Sequence, residues 1–320
     1  MEFIVADREG RELGYLSRRR ELDMEIGGEN DFEISLPMEQ FLSSGYENGY
    51  RIFCEGTEYG GIVTEIETHT DDKVILRGDT WRGLLSRKVL APRDGESGLT
   101  VSGDLNEIIG QVLNGSFGDL MEAEEECGIS TEFQFPGYCT LADGLQQLAE
   151  DKGCRLSLRY AAGKVMVGAV QILDYSEELE FGSDSRIQFT TCRHEGINHL
   201  ICLGKNEAEE QLVEHLYVQE NGTIDKIPFY TGTWERCSVL EISNAKTREE
   251  LTEEGKKELK NLMSYTSMNL EFDGENEDIP IGDIVGGRDR MTGVVIKKPI
   301  AQKIIKLSGD SETIECKIGE

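Results

Sequence analysis

Leu22, Met24 and Ile26 alternate with charged residues, and Phe32, Ile34 and Leu36 do the same. A period of two puts apolar side chains on one face of an extended strand, so this part of the chain must bury one side of a sheet. Pro37, which has no amide proton to give to a central ladder, ends the second run. Before it, Phe3-Ile4-Val5 leads into the turn Asp7-Arg8-Glu9-Gly10. After it, Ile62, Thr64 and Ile66 approach a hairpin tip at Asp71-Asp72-Lys73, and Val74-Ile75-Leu76 returns. One-sided strands joined by tight turns make an antiparallel meander, whose expected form is a small barrel.

The pattern then changes. Asp104 is placed to cap a helix with Glu107 completing a capping box, and Leu105, Ile108, Ile109 and Val112 share one face. A second helix is predicted from Thr140, with Leu141, Leu145, Leu148 and Ala149 inward and Gly153 at its left-handed end. Strand patterns follow at 154–160, 164–171, 186–191 and 199–203, and Asn221-Gly222 reads as a turn. Residues 247–263 read as an amphipathic helix with Leu251, Leu259, Leu262 and Met263 inward and Gly255 as a modest weakness. Strands recur at 268–272, 281–286, 292–297, 302–307 and 312–318. The expected class is α+β, mainly β, in the order barrel, α/β unit, strands, helix and strands.

Charge narrows the function. The 320 residues carry 33 basic and 62 acidic side chains, net −29. The excess is −8 over 1–92, −8 over 93–172 and −13 over 173–320, so it is no acidic tail. Such a surface repels phosphates and gains no counterion-release affinity, which argues against a sequence-reading DNA binder. No apolar run approaches the roughly 18 residues that span a bilayer, so no membrane insertion is expected. The N-terminus lacks a secretory pattern, and the eight cysteines sit singly in strand-like contexts, as expected of reduced thiols in a protein made in a cytoplasm.

No catalytic or metal motif survives inspection. His194-Glu-Gly-Ile-Asn-His199 spaces its histidines five apart, where a zinc-binding helix needs four, and Gly196 opposes a helix, so a loop between strands is expected. The acidic stretches 122–126 and 273–278 lack the calcium-loop spacing. No phosphate-binding glycine loop or nucleophile elbow occurs. No catalytic residue, cofactor or metal is therefore expected. Arg18-Arg19-Arg20 stands alone as a basic triplet in an acidic chain. It suits either a charge-guarded strand edge or a salt-bridging contact with an acidic neighbouring subunit.

Two segments resemble a known family. In 58–92, Gly60-Gly61-Ile62, Leu76-Arg77-Gly78, Leu84-Leu85-Ser86-Arg87 and Pro92 are similar to the N-terminal barrel of prophage tail hub proteins, including siphovirus and PBSX-like tail components. In 279–319, Ile281-Gly282-Asp283-Ile284-Val285, Thr292-Gly293-Val294 and Lys317-Ile318-Gly319 resemble that family's C-terminal strands. The resemblance implies a non-enzymatic structural protein of the virion tail, made in the bacterial host cytoplasm. It implies two small antiparallel β-barrels flanking an α/β domain, with expected extents of 1–92 for the first barrel, 93–180 plus 205–263 for the α/β domain and 181–204 plus 264–320 for a discontinuous second barrel. It also implies a homotrimer whose six barrels form a pseudo-sixfold ring at the tail tip. Its neighbours would be the distal tail or tube protein, the tape measure and spike or fibre proteins, with DNA passing through unbound. Two rival classes are a cell-wall hydrolase or protease component of the tail tip, and a free-standing adhesin displaying aromatic platforms. The second fits poorly with only two tryptophans, Trp81 and Trp234.

Overall fold

The first eighty residues fold into strands β1 (Ile4–Ala6), β2 (Glu12–Tyr15), β3 (Glu21–Ile26), β4 (Asp31–Pro37), β5 (Arg51–Phe53), β6 (Gly60–Thr68) and β7 (Lys73–Thr80). They pair antiparallel in the order β3-β4-β7-β6-β5-β1-β2. The register sets Leu22 opposite Ile34 and Ile34 opposite Leu76, so the alternating residues form one buried row across three strands. Gly61 and Gly78 make room for Phe32 in that row. A Cβ on Gly78 would sit 2.1 Å from the Ile62 carbonyl and 2.5 Å from the Phe32 ring. Because backbone cannot yield as a side-chain tip can, Gly78→Ala is expected to cost about 1–3 kcal/mol, measurable as a lower urea midpoint at unchanged m-value.

The computed structural model describes residues 1–70, 72–92, 95, 98–176, 187–205, 210–242, 245–273, 279–288 and 295–319. The chain divides into two units, Met1–Thr190 with Asn269–Gly319, and Thr191–Met268. Asp71 of the expected hairpin tip, residues 274–278 of the acidic loop and Thr292-Gly293-Val294 lie outside the described residues.

The first unit differs from two closed barrels. The outer edge of β3 pairs with the C-terminal strand Val295–Ser308, from Ile26 with Lys303 to Glu21 with Ser308. That strand pairs in turn with Ser311–Ile318. The N-terminal and C-terminal strands are thus one open run of pairings that ends at β2. Closing a barrel would require β3 to turn the same edge toward β2, and the C-terminal hairpin already occupies it.

The expected division at 92 is also absent as a break in the core. Phe53 and Trp81 pack with Tyr160, Leu145 and Leu156 in one cluster. The Phe53 and Tyr160 rings stack at 3.9 Å, and the Trp81 and Tyr160 rings at 5.4 Å. Around them lie the helices Leu105–Leu113 and Leu141–Glu150 and the sheet Met121–Ala123, Lys164–Gln171, Cys154–Ala161. Asp104 caps the first helix by accepting from the Asn106 amide, and Thr140 caps the second by accepting from the Asp143 amide. The capping box expected at Asp104 is not formed there; Thr247 and Glu250 form one instead. The segment 98–176 is tied to the C-terminal strands by a buried ion pair. Arg155 Nε donates to Asp283 Oδ1 at 2.9 Å, and the same oxygen accepts from the Leu173 amide.

The second unit is a four-stranded sheet in the order Ile224–Asp225, Gln211–Val218, His199–Lys205, Cys237–Glu241, with the helix Arg248–Leu262 on one face. The helix was expected to join residues 93–180, and strand 199–204 to join a second barrel. Instead Leu251 and Leu259 pack on Leu200, Cys202 and Leu216, which alternation places on one side of this sheet. Gly255 is no weakness here: a Cβ would lie 2.4 Å from Cys202 Sγ, so glycine is what lets helix and sheet approach. Burial pushes the Cys202 thiol up to about 11, consistent with an inert core residue. The seven described cysteines form no disulfide; the Cys192 side chain lies outside the described residues. No described helix is long and apolar enough to cross a membrane.

Candidate functional site

Arg18, Arg19 and Arg20 occupy the loop between β2 and β3, and the fold separates them. Ser17 organises the loop: its hydroxyl accepts from the Arg19 amide at 3.0 Å and its carbonyl accepts from Arg20 Nη1 at 2.8 Å. Arg18 and Arg19 remain exposed, whereas Arg20 turns inward and keeps only 8% of its surface in water. The strand edge named in one sequence reading is β2 itself, whose four residues are all exposed. The arginines follow it and do not line it.

A groove of about 420 Å³ opens at this loop, between it and the hairpin that joins Val295–Ser308 to Ser311–Ile318. Gly309 takes a left-handed conformation (φ 59°), letting that hairpin reverse in two residues. Phe3, Leu16 and Leu307 give the groove an apolar wall, and Arg18, Arg20, Glu2, Asp310 and Glu312 give it charge. Arg18 lies 4.0 Å from both Glu2 and Asp310. All three are exposed, and pairs of this kind contribute about 0–1 kcal/mol. Glu312 contacts the Met1 amine.

Arg20 is the unusual member. Its Nε is buried without a hydrogen-bond partner. Burial pushes its guanidinium pKa down, and the neighbouring Arg18 charge adds to this, while Glu312 and Tyr46 act against it. Arg20 thus holds one backbone carbonyl through Nη1 and, among the described residues, forms no ion pair with a carboxylate. Sequence reasoning found the triplet but not its division, because the groove beside Arg20 is completed by Leu307 and the hairpin after it, nearly three hundred positions away.

Other sequence candidates resolve into structure. His194 ends one strand and His199 begins the next, so 195–198 connect strands. In the acidic stretch 122–126, Glu122 is paired with Lys164 and Glu124 with Arg159. Trp81 is fully buried, while Trp234 is 70% exposed.

No protein-family model and no curated protein matches the chain. Among solved structures it is similar to the tail protein from Neisseria meningitidis MC58, at 16% identity and a TM-score of 0.51 over 100% of this chain and 97% of that one. It is also similar to the 43 kDa tail protein of prophage MuSo2 from Shewanella oneidensis, at 12% identity and a TM-score of 0.53 over 100% and 98%. From end to end, the chain has the fold of phage and prophage tail proteins.

Proposed function

We propose that the protein is a structural hub of a phage or prophage tail tip, three copies of which form a pseudo-sixfold ring that joins the tail tube to the tip and lets DNA through. The observation that carries this reading is the full-length likeness in fold to two tail proteins. Two features of the chain support it. The N-terminal and C-terminal strands share one sheet through the ladder between β3 and Val295–Ser308, so each copy brings two sets of strands to an assembly. The net charge of −29 is spread along the chain, so a wall built from it repels phosphate and does not hold passing DNA. The hub's neighbours would be the distal tail or tube protein, the tape measure and spike or fibre proteins, and its place the virion tail.

Like-charged copies resist assembly unless scarce cations sit at their contacts. The Arg20 groove is the expected contact, receiving a carboxylate from the next copy. Negative-stain microscopy and mass photometry on purified protein, with and without co-expressed tail neighbours, test the ring. Three-copy particles are expected, and their dissociation constant should rise at least about thirtyfold in Arg20→Ala, the lower end of what an unpaired buried partner costs. Assembled rings with a basic lumen, or with Arg20 far from any subunit contact, would refute the reading.

A further inference from the structure

Two of the chain's four histidines meet in the second unit, on the sheet face opposite the helix Arg248–Leu262. His199 stands across from Tyr217 and Ile201 across from His215, so both histidines and the tyrosine project from one face. His199 is 93% buried, its ring stacked on Tyr217 at 4.2 Å. Its Nδ1 lies 2.7 Å from Glu235 Oε1, and its Nε2 lies 2.8 Å from His215 Nδ1. Tyr217 Oη is 3.5 Å from the same His215 nitrogen.

The Glu235 carboxylate can only accept, so in the neutral ring of His199 the hydrogen sits on Nδ1 and Nε2 presents a lone pair. Glu235 is itself held in place. The Arg236 amide donates to Asn198 Oδ1 at 2.8 Å, Asn198 Nδ2 donates to the Trp234 carbonyl at 2.7 Å, and the His199 amide donates to the Arg236 carbonyl at 3.1 Å. A carboxylate that orients a histidine through its far nitrogen, leaving the near one free, is the outer-shell arrangement that supports metal ligation. A structural hub has no use for a buried, oriented imidazole.

We propose that His199 Nε2, His215 Nδ1 and Tyr217 Oη bind one divalent transition-metal ion of the imidazole-preferring, zinc class. No trio of His, Cys, Asp and Glu comes together among the described residues, so the donor set reaches three only through the Tyr217 phenol. Zinc–nitrogen bonds of about 2.0–2.1 Å in tetrahedral geometry set the two nitrogens about 3.3 Å apart, so they must separate by about half an ångström. His215 is exposed and free to make that movement, and the exposure gives the ion its route in. On binding, the proton on His215 Nδ1 leaves to water and another is taken up at Nε2, while the Tyr217 phenol releases its proton to water as its oxygen ligates the ion. A water completes four-coordination.

The test is titration of the full chain with Zn²⁺ by calorimetry, in parallel with histidine-ring NMR. One ion per chain is expected, with the His199 and His215 signals shifting and those of His69 and His194 unmoved. His215→Ala, at an exposed position, should weaken binding by at least about tenfold, and Glu235→Gln by about 10–100-fold. Far-UV circular dichroism verifies that each variant is folded. Zn²⁺ affinity equal in wild type and His215→Ala, or no binding at millimolar Zn²⁺, overturns the proposal and leaves a hydrogen-bonded histidine pair.

Discussion

Asp283→Ala should destabilise the first unit by about 3–5 kcal/mol, the cost of leaving a buried charge without its partner. Asp283 is wholly buried, and its Oδ1 serves both Arg155 Nε and the Leu173 amide at 2.9 Å. Removing the carboxylate therefore strands a guanidinium and a backbone donor together. Its other oxygen, Oδ2, is buried without a partner, so the pair is imperfect as it stands. Asp283→Asn keeps an oxygen for Leu173 but loses the charge, and its cost should fall between alanine and wild type. The measurement is urea unfolding followed by tryptophan emission in a Trp234→Phe background, where the buried Trp81 reports on the first unit alone. A loss below about 1 kcal/mol for Asp283→Ala, within the range of an exposed pair, would show that water reaches the site.

Trp81→Ala is expected to cost a similar amount, about 3–5 kcal/mol, for a different reason. The indole sits fully buried against Tyr160, and removing it leaves a cavity among Phe53, Tyr160 and Leu85 in the core cluster. Trp81→Phe separates the terms. Trp81 Nε1 is buried with no acceptor, so phenylalanine discards an unsatisfied donor as well as volume. Its cost should stay under about 2 kcal/mol. Thermal unfolding followed by far-UV circular dichroism compares the two, and equal losses for Ala and Phe would mean that packing volume is not what Trp81 supplies.

The resemblance motifs acquire physical content at these residues. A Cβ on Gly60 would lie 2.8 Å from Trp81 Nε1, and one on Gly61 would lie 2.0 Å from the Asp79 carbonyl. Gly282 adopts φ 95° and lies against Arg155, so Ile281-Gly282-Asp283-Ile284-Val285 is the segment that turns Asp283 toward its partner. Those motifs were readable because each serves a local geometric need that only glycine or a small set of residues meets.

Local order was determined by sequence alone. The period-two runs at 22–26 and 32–36 became β3 and β4, and the capping residues Asp104 and Thr140 start the two helices. Hydrophobic alternation and side-chain capping act within a few residues, so they leave a trace in a short window. The pairing of distant elements was decided only by the tertiary structure. β3 could have turned its free edge toward β2, and its residues alone do not say that Val295–Ser308 takes it. The strand Gln211–Val218 escaped notice because Glu214 interrupts its apolar face; Lys226 and Arg248 pair with that buried carboxylate and hold its pKa down. The burial of Arg20 and the meeting of His199 with His215 were invisible for the same reason: burial and partnership are set by how strands pair, and no local pattern encodes which strands arrive.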